Sequence, residues 1–151
     1  MSLKYMNEEH YNSIEIATSY AQLSEIALSV LKIIPEPVGQ VCGPITSGGR
    51  GSFEANIKHF TNAINSLESR GINIFSQMPF EDKMQELKVV EGYNWPVLHE
   101  FYQPIFESNL VRKLYFLPDW QESRGSCWER EQADKNKIEV IDLDDSFEFV
   151  L

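Results

Sequence analysis

The chain reads as a single α/β domain: a doubly wound, mostly parallel sheet of four or five strands with an extra N-terminal helix. Three observations predict it. Short apolar runs at residues 38–42, 72–75, 110–117 and 138–143 alternate with longer segments whose apolar residues recur every three or four positions. Two polar turns, one rich in glycine, follow directly on apolar runs, which is where a parallel sheet gathers its loops. At 151 residues, with 42% hydrophobic content and 12% aromatics, the chain is long enough to bury one continuous core. Strands that alternate with helices point to parallel pairing, because each crossover needs a helix to return the chain.

In chain order, residues 10–34 carry Ile16, Tyr20, Leu23, Ala27, Val30 and Ile34 at alternating spacings of four and three, one stripe of a helix. Pro35 and Pro37 stop it. The stripe suits packing on the chain's own sheet first, with a heptad-like seam between two subunits as the sharper alternative. Residues 38–42 form a buried strand, followed by the glycine-rich turn of residues 43–52. Ser52 caps a helix over residues 53–70 with Phe53, Ile57, Phe60, Ile64 and Leu67 on one face, and Gly71 ends it. Residues 72–75 are the second strand. Residues 78–93 are polar and mixed, a lid-like loop with a short helix. Residues 95–107 read as a helix with Pro96 in its first turn, 110–117 as the third strand, 126–137 as a helix and 138–143 as the fourth strand. Asp144 and Asp145 then open an apolar tail.

A formal net charge of -10 disfavours nucleic-acid polymers and anionic membrane surfaces. Two cysteines (Cys42, Cys127) and three dispersed histidines (His10, His59, His99) form neither a disulfide framework nor a metal signature. The absence of a long apolar run or a signal-peptide layout leads to the expectation of a cytoplasmic protein.

Chemistry concentrates in the two turns. Gly48, Gly49 and Gly51 let backbone approach a ligand, and Arg50 offers a planar donor fork to phosphate. The Gly-Lys-Ser/Thr ending of a Walker A loop is missing. In the second turn, Ser123, Arg124, Gly125 and Ser126 precede a helix N-terminus, a place that suits an anion. Glu129 has two readings. As part of Ser126-x-x-Glu129 it closes a capping box. As a carboxylate at the mouth of the sheet it attacks the anomeric carbon of a sugar.

Cys42-Gly43-Pro44-Ile45 with Gly48-Gly49-Arg50, and Leu117-Pro118-x-Trp120-x-x-Ser123-x-Gly125-Ser126-x-x-Glu129, resemble the two signature elements of the nucleoside 2-deoxyribosyltransferase-like family. That family includes 2′-deoxynucleoside 5′-monophosphate N-glycosidases and small relatives known mainly from sequence. The resemblance spans residues 38–143. It leaves 1–37 as an N-terminal helical extension and 144–151 as a tail, and implies a flavodoxin-like fold. It further implies that Glu129 is the nucleophile at C1′ and Glu100 the acid for the leaving base. Gly43, Ile45, Gly48, Gly49 and Arg50 would line the nucleotide site. Ser123, with Gly125 and Ser126, would hold phosphate, since Ser123 stands where the transferases have Asp. His99 beside Glu100 is more simply structural. Trp95, Phe101, Tyr102 and Trp120 are candidates to stack on a base.

The activity implied is cleavage of the N-glycosidic bond of a nucleoside or its 5′-monophosphate through a covalent glycosyl-Glu129 intermediate. It would need neither cofactor nor metal, take a small-molecule nucleoside or nucleotide as its partner, and work in a homodimer or larger assembly. One rival is a catalytically inactive nucleotide-binding or sensing module of the same fold, favoured by the weak case for Glu100. The other is an interaction protein that dimerises through residues 10–34.

Overall fold

The computed structural model describes residues 4–46, 48–89 and 91–151. Its centre is a parallel sheet of three strands, β1 (Gly39–Cys42), β2 (Lys113–Phe116) and β3 (Glu139–Asp142), in the order β1-β2-β3. Gly39 pairs with Lys113 and Cys42 with Phe116; Lys113 pairs in turn with Glu139 and Phe116 with Asp142. The sheet is therefore smaller than the four or five strands expected. Residues 72–75 do not form a full strand: only Ile74 bridges to Gly39. That contact is held by Gly39 N–H donating to the Asn73 carbonyl at 2.9 Å and Phe75 N–H donating to the Gly39 carbonyl at 2.8 Å.

Side-chain alternation along the strands splits the core into two clusters. Val41, Tyr115 and Leu117 face α3 (Phe53–Ser69), whose Phe60, Ala63, Ile64 and Leu67 are buried against them. Cys42, Leu114 and Phe116 face a cluster that includes Leu23, Ala27 and Val30 from the N-terminal region, together with Phe101 and Phe106. Burying each of these large side chains contributes about 1.5–3 kcal/mol, so both faces of the sheet are firmly covered.

The single N-terminal helix expected over residues 10–34 is two helices, α1 (Glu8–Ile16) and α2 (Tyr20–Leu31). Local side chains cause the break. Gln22 Oε1 accepts from Thr18 N–H at 2.7 Å, and Ser19 Oγ accepts from Gln22 N–H at 3.1 Å, so Ser19 starts a new helix. The break leaves Ile16 78% exposed, while Leu23, Ala27, Val30 and Ile34 are buried. The stripe thus packs within the chain, which removes the basis for an intersubunit seam there. Gly71 ends α3 at φ +80°, as expected.

The stretch read as a lid-like loop contains α4 (Met78–Leu87), with Pro79 in its first turn. The helix expected over 95–107 is wound in two ways: a π-helical turn (Val97–Tyr102) runs into α5 (Gln103–Glu107). Pro96 and Pro104 bracket this wide turn and remove two backbone donors. After β2, a 3₁₀ turn (Trp120–Glu122) leads into α6 (Arg124–Asn136), which begins two residues earlier than expected. The tail folds back on β3: Leu143 and Phe149 form an antiparallel bridge, and Arg70 pairs with Glu148 at 3.2 Å.

Candidate active site

At the carboxyl ends of β1 and β2 lies a cavity of about 410 Å³. Six segments build its wall. The turn after β1 contributes Gly43, Ile45 and Thr46; α3 adds Phe60; α4 and the residue before it contribute Gln77, Glu81 and Gln85; the loop that follows contributes Lys88, Tyr93 and Asn94. The π-helical turn adds Val97, Leu98 and Tyr102, and the start of α6 adds Ser123, Arg124, Gly125 and Glu129.

The start of α6 decides what Glu129 does. Ser123, not Ser126, is the N-cap: its Oγ accepts from Ser126 N–H at 3.1 Å. The capping box that would occupy Glu129 is therefore not formed. Gly125 and Glu129, four residues apart on one helix face, both turn to the cavity. Glu129 is 7% exposed, and its Oε2 accepts from Cys42 Sγ at 3.3 Å and from Gln40 Nε2 at 3.4 Å. Gly125 leaves room for a close neighbour, since a Cβ there would lie 2.5 Å from the Tyr93 hydroxyl.

A second carboxylate shares the cavity. Glu81 on α4 is 7% exposed and accepts a short hydrogen bond from the Tyr102 hydroxyl. Burial raises the Glu129 carboxyl to about 8; the charge of Glu81 adds to this, while the donors Cys42 and Gln40 oppose it. Burial raises Glu81 to about 7 against the Tyr102 hydrogen bond, with nearby Asp82 adding a little. The Cys42 thiol and the Tyr102 and Tyr93 hydroxyls are all pushed upward by burial and by these acids, so they stay protonated and able to donate. Two exposed cations, Lys88 and Arg124, complete the wall. The result is an acidic floor with a basic rim.

The residues singled out from sequence are divided by this geometry. Glu129, Gly43, Ile45, Ser123 and Gly125 meet in the cavity. Ser126 is fully buried beneath it, its hydroxyl without a partner. Gly48 and Gly49 line a separate recess of about 320 Å³, which among the described residues shares Thr46 with the cavity wall. Gly48, at φ +67°, lies so close to the 3₁₀ turn that a Cβ would come 2.6 Å from the Glu122 carbonyl. Ser47, in the same turn, lies outside the described residues.

Two expectations need correcting. Arg50 does not reach the cavity: its guanidinium is held by Asp119 at 3.5 Å, by Asp145 at 3.3 Å and by the His59 ring. Glu100 is exposed on the outer side of the π-helical turn and is no part of the wall; the carboxylate that shares the cavity is Glu81. Of the four aromatics expected at the site, only Tyr102 belongs to the wall. Phe101 is core, Trp120 packs on Phe116 and Arg130, and Trp95 is 44% exposed. His99 is a surface residue against Gln103 and Trp128.

Sequence reasoning missed Gln77, Glu81, Gln85 and Lys88. Their spacings of four, four and three make one polar stripe along α4 and its two flanking residues, directly beside the buried Phe80 and Met84. That stripe was the available signal, hidden because the segment read as loop.

Comparison with known proteins finds no family model that matches this chain and no significant match to a curated protein or a solved structure.

Proposed function

We propose that the chain cleaves the N-glycosidic bond of a nucleoside or nucleoside 5′-monophosphate, as an N-glycosidase or deoxyribosyltransferase. The observation that carries this reading is the pair of buried carboxylates, Glu129 and Glu81, in one cavity with cations at its rim. Two carboxyl groups are what substitution at an anomeric carbon uses, one as nucleophile and one as acid. Lys88 and Arg124 suit a 5′-phosphate held above the sugar.

The sheet supports a flavodoxin-like order. With the Ile74 bridge counted outside β1, the elements run second, first, third, fourth, and the order reverses between β1 and β2. Ligands in doubly wound sheets bind at such a reversal. The cavity lies there.

In the reaction, the Glu129 carboxylate attacks C1′ and the C1′–N bond breaks. Its electron pair goes to the base nitrogen, which takes the proton of Glu81. Water, or a second base, then attacks C1′ of the glycosyl ester; Glu81 takes the proton and Glu129 leaves as carboxylate. Burial raises both carboxyls, so near neutral pH the pair retains a proton for this scheme to use. Positive charge developing at the sugar favours an ionised Glu129 and shifts that proton to Glu81.

The scheme can also be written with the two roles exchanged, since burial raises both carboxyls well above the usual carboxylate range. A slow-turnover 2′-fluorinated nucleotide analogue followed by peptide mass mapping separates the two. Sugar on Glu129 supports the stated roles, and sugar on Glu81 reverses them. The inactive-module alternative rested on a missing acid, and Glu81 is the candidate for that acid. Incubation with deoxynucleoside 5′-monophosphates, read as free base, tests the proposal as a whole.

A further inference from the structure

Two amide side chains in the cavity wall carry buried oxygens without a partner and take no part in the scheme above. Gln77 is 1% exposed; its Nε2 donates to the Val41 carbonyl at 2.8 Å, and its Oε1 has no partner. Its orientation is fixed, because rotating the amide would set two acceptor oxygens against each other. Asn94 donates from Nδ2 to the Tyr20 hydroxyl at 2.9 Å and likewise leaves a buried Oδ1 without a partner. Leaving a buried acceptor unpaired costs about 1–3 kcal/mol. Of the donors described nearby, Tyr102 is committed to Glu81, and Cys42 and Gln40 to Glu129.

We propose that Gln77 is a specificity-determining residue, seconded by Asn94, and that the ligand brings N–H donors to them: the base is an amino-bearing one. The inference rests on the nucleotide reading. An exocyclic amine satisfies the Gln77 oxygen, whereas a base lacking it leaves that oxygen desolvated and unpaired. A site built around a hydrogen bond discriminates strongly against a ligand that cannot make it.

The test uses full-length Glu129→Gln protein, so that ligand is held uncleaved, and isothermal calorimetry. The probes are deoxyadenosine 5′-monophosphate with its 6-unsubstituted purine analogue, and deoxycytidine 5′-monophosphate with its 4-unsubstituted analogue. In at least one pair the amino form is expected to bind about tenfold tighter or better. Gln77→Met, similar in length but without the acceptor, is expected to reduce that preference to below about threefold. Asn94→Leu, on the loop, repeats the test should Gln77→Met fail to fold by circular dichroism. Equal affinity within both pairs overturns the inference and leaves the nucleotide reading standing. If the unmodified chain neither binds nor cleaves any of the four, the nucleotide reading fails and takes the inference with it.

Discussion

Glu129 and Glu81 are the residues on which the account turns, and both titrate far from where an exposed glutamate would. Burial raises them to about 8 and about 7, above the usual 4.5, so between pH 4.5 and 8 these two groups hold more protons in the folded chain than in the unfolded one. Stability then falls as pH rises through that window. The burial penalty is absent below about pH 4.5, where both groups are neutral in either state, and is fully expressed above about pH 8. Thermal melts from pH 5 to 9 should show Tm dropping steadily, and Glu129→Gln should raise Tm and flatten the dependence. Its effect at high pH is on the order of a few kcal/mol. A Tm that rises with pH would show that the two carboxyls are not buried as described. Activity should behave differently: Glu129→Gln should cost on the order of 10⁴-fold in kcat, and Glu81→Gln about 10²–10⁴-fold. Gly125→Ala should displace the Tyr93 hydroxyl and raise KM more than it lowers kcat, a split that steady-state kinetics on the variant would reveal.

At the scale of elements, α6 presents Glu129, and it is fixed at both ends of the relevant stretch. Ser123 caps it, and Arg130 ties it to β3 through two bonds to Asp142 at 2.7 and 3.0 Å while lying 4.3 Å from the Trp120 ring. Ser123→Ala should cost about 1 kcal/mol by chemical denaturation, as the loss of an N-cap does. Arg130→Ala should cost about 1–2 kcal/mol, mostly from lost packing on the ring. How much of this was legible in sequence differs from element to element. α3 could be read from its stripe and from Ser52 and Gly71, and all three predicted core strands that carry a ladder were located to within a few residues. The break at Thr18 and Ser19 was not legible, because an apolar stripe registers spacing while two side-chain hydrogen bonds decide the cap. The ladder of residues 72–75 also failed to appear, since pairing depends on a neighbour and not on apolar content. Within the site, Glu129 was found because its turn announces it. Glu81 was overlooked because its polar stripe runs directly beside the apolar Phe80 and Met84, so the segment lacks the separated faces of an amphipathic helix.

Over the whole molecule, the N-terminal helices and the tail are tied into the fold around the cavity. Tyr20 holds Asn94 in the cavity wall, and Ser24 Oγ donates to the Phe101 carbonyl at 2.9 Å, beside Tyr102. The tail engages the glycine-rich turn through Asp145 and α3 through Arg70. Among the described residues no helix is long and apolar enough to cross a membrane. The resemblance seen in sequence implies a site completed between subunits, so sedimentation is expected to give at least a dimer; a monomer with full activity would confine the site to one chain. The most direct measurement is release of free base from deoxynucleoside 5′-monophosphates, run in parallel on the unmodified chain and on Glu129→Gln and Glu81→Gln. The account predicts base from the unmodified chain and almost none from either variant. No base from any substrate, or equal release from all three proteins, would contradict it.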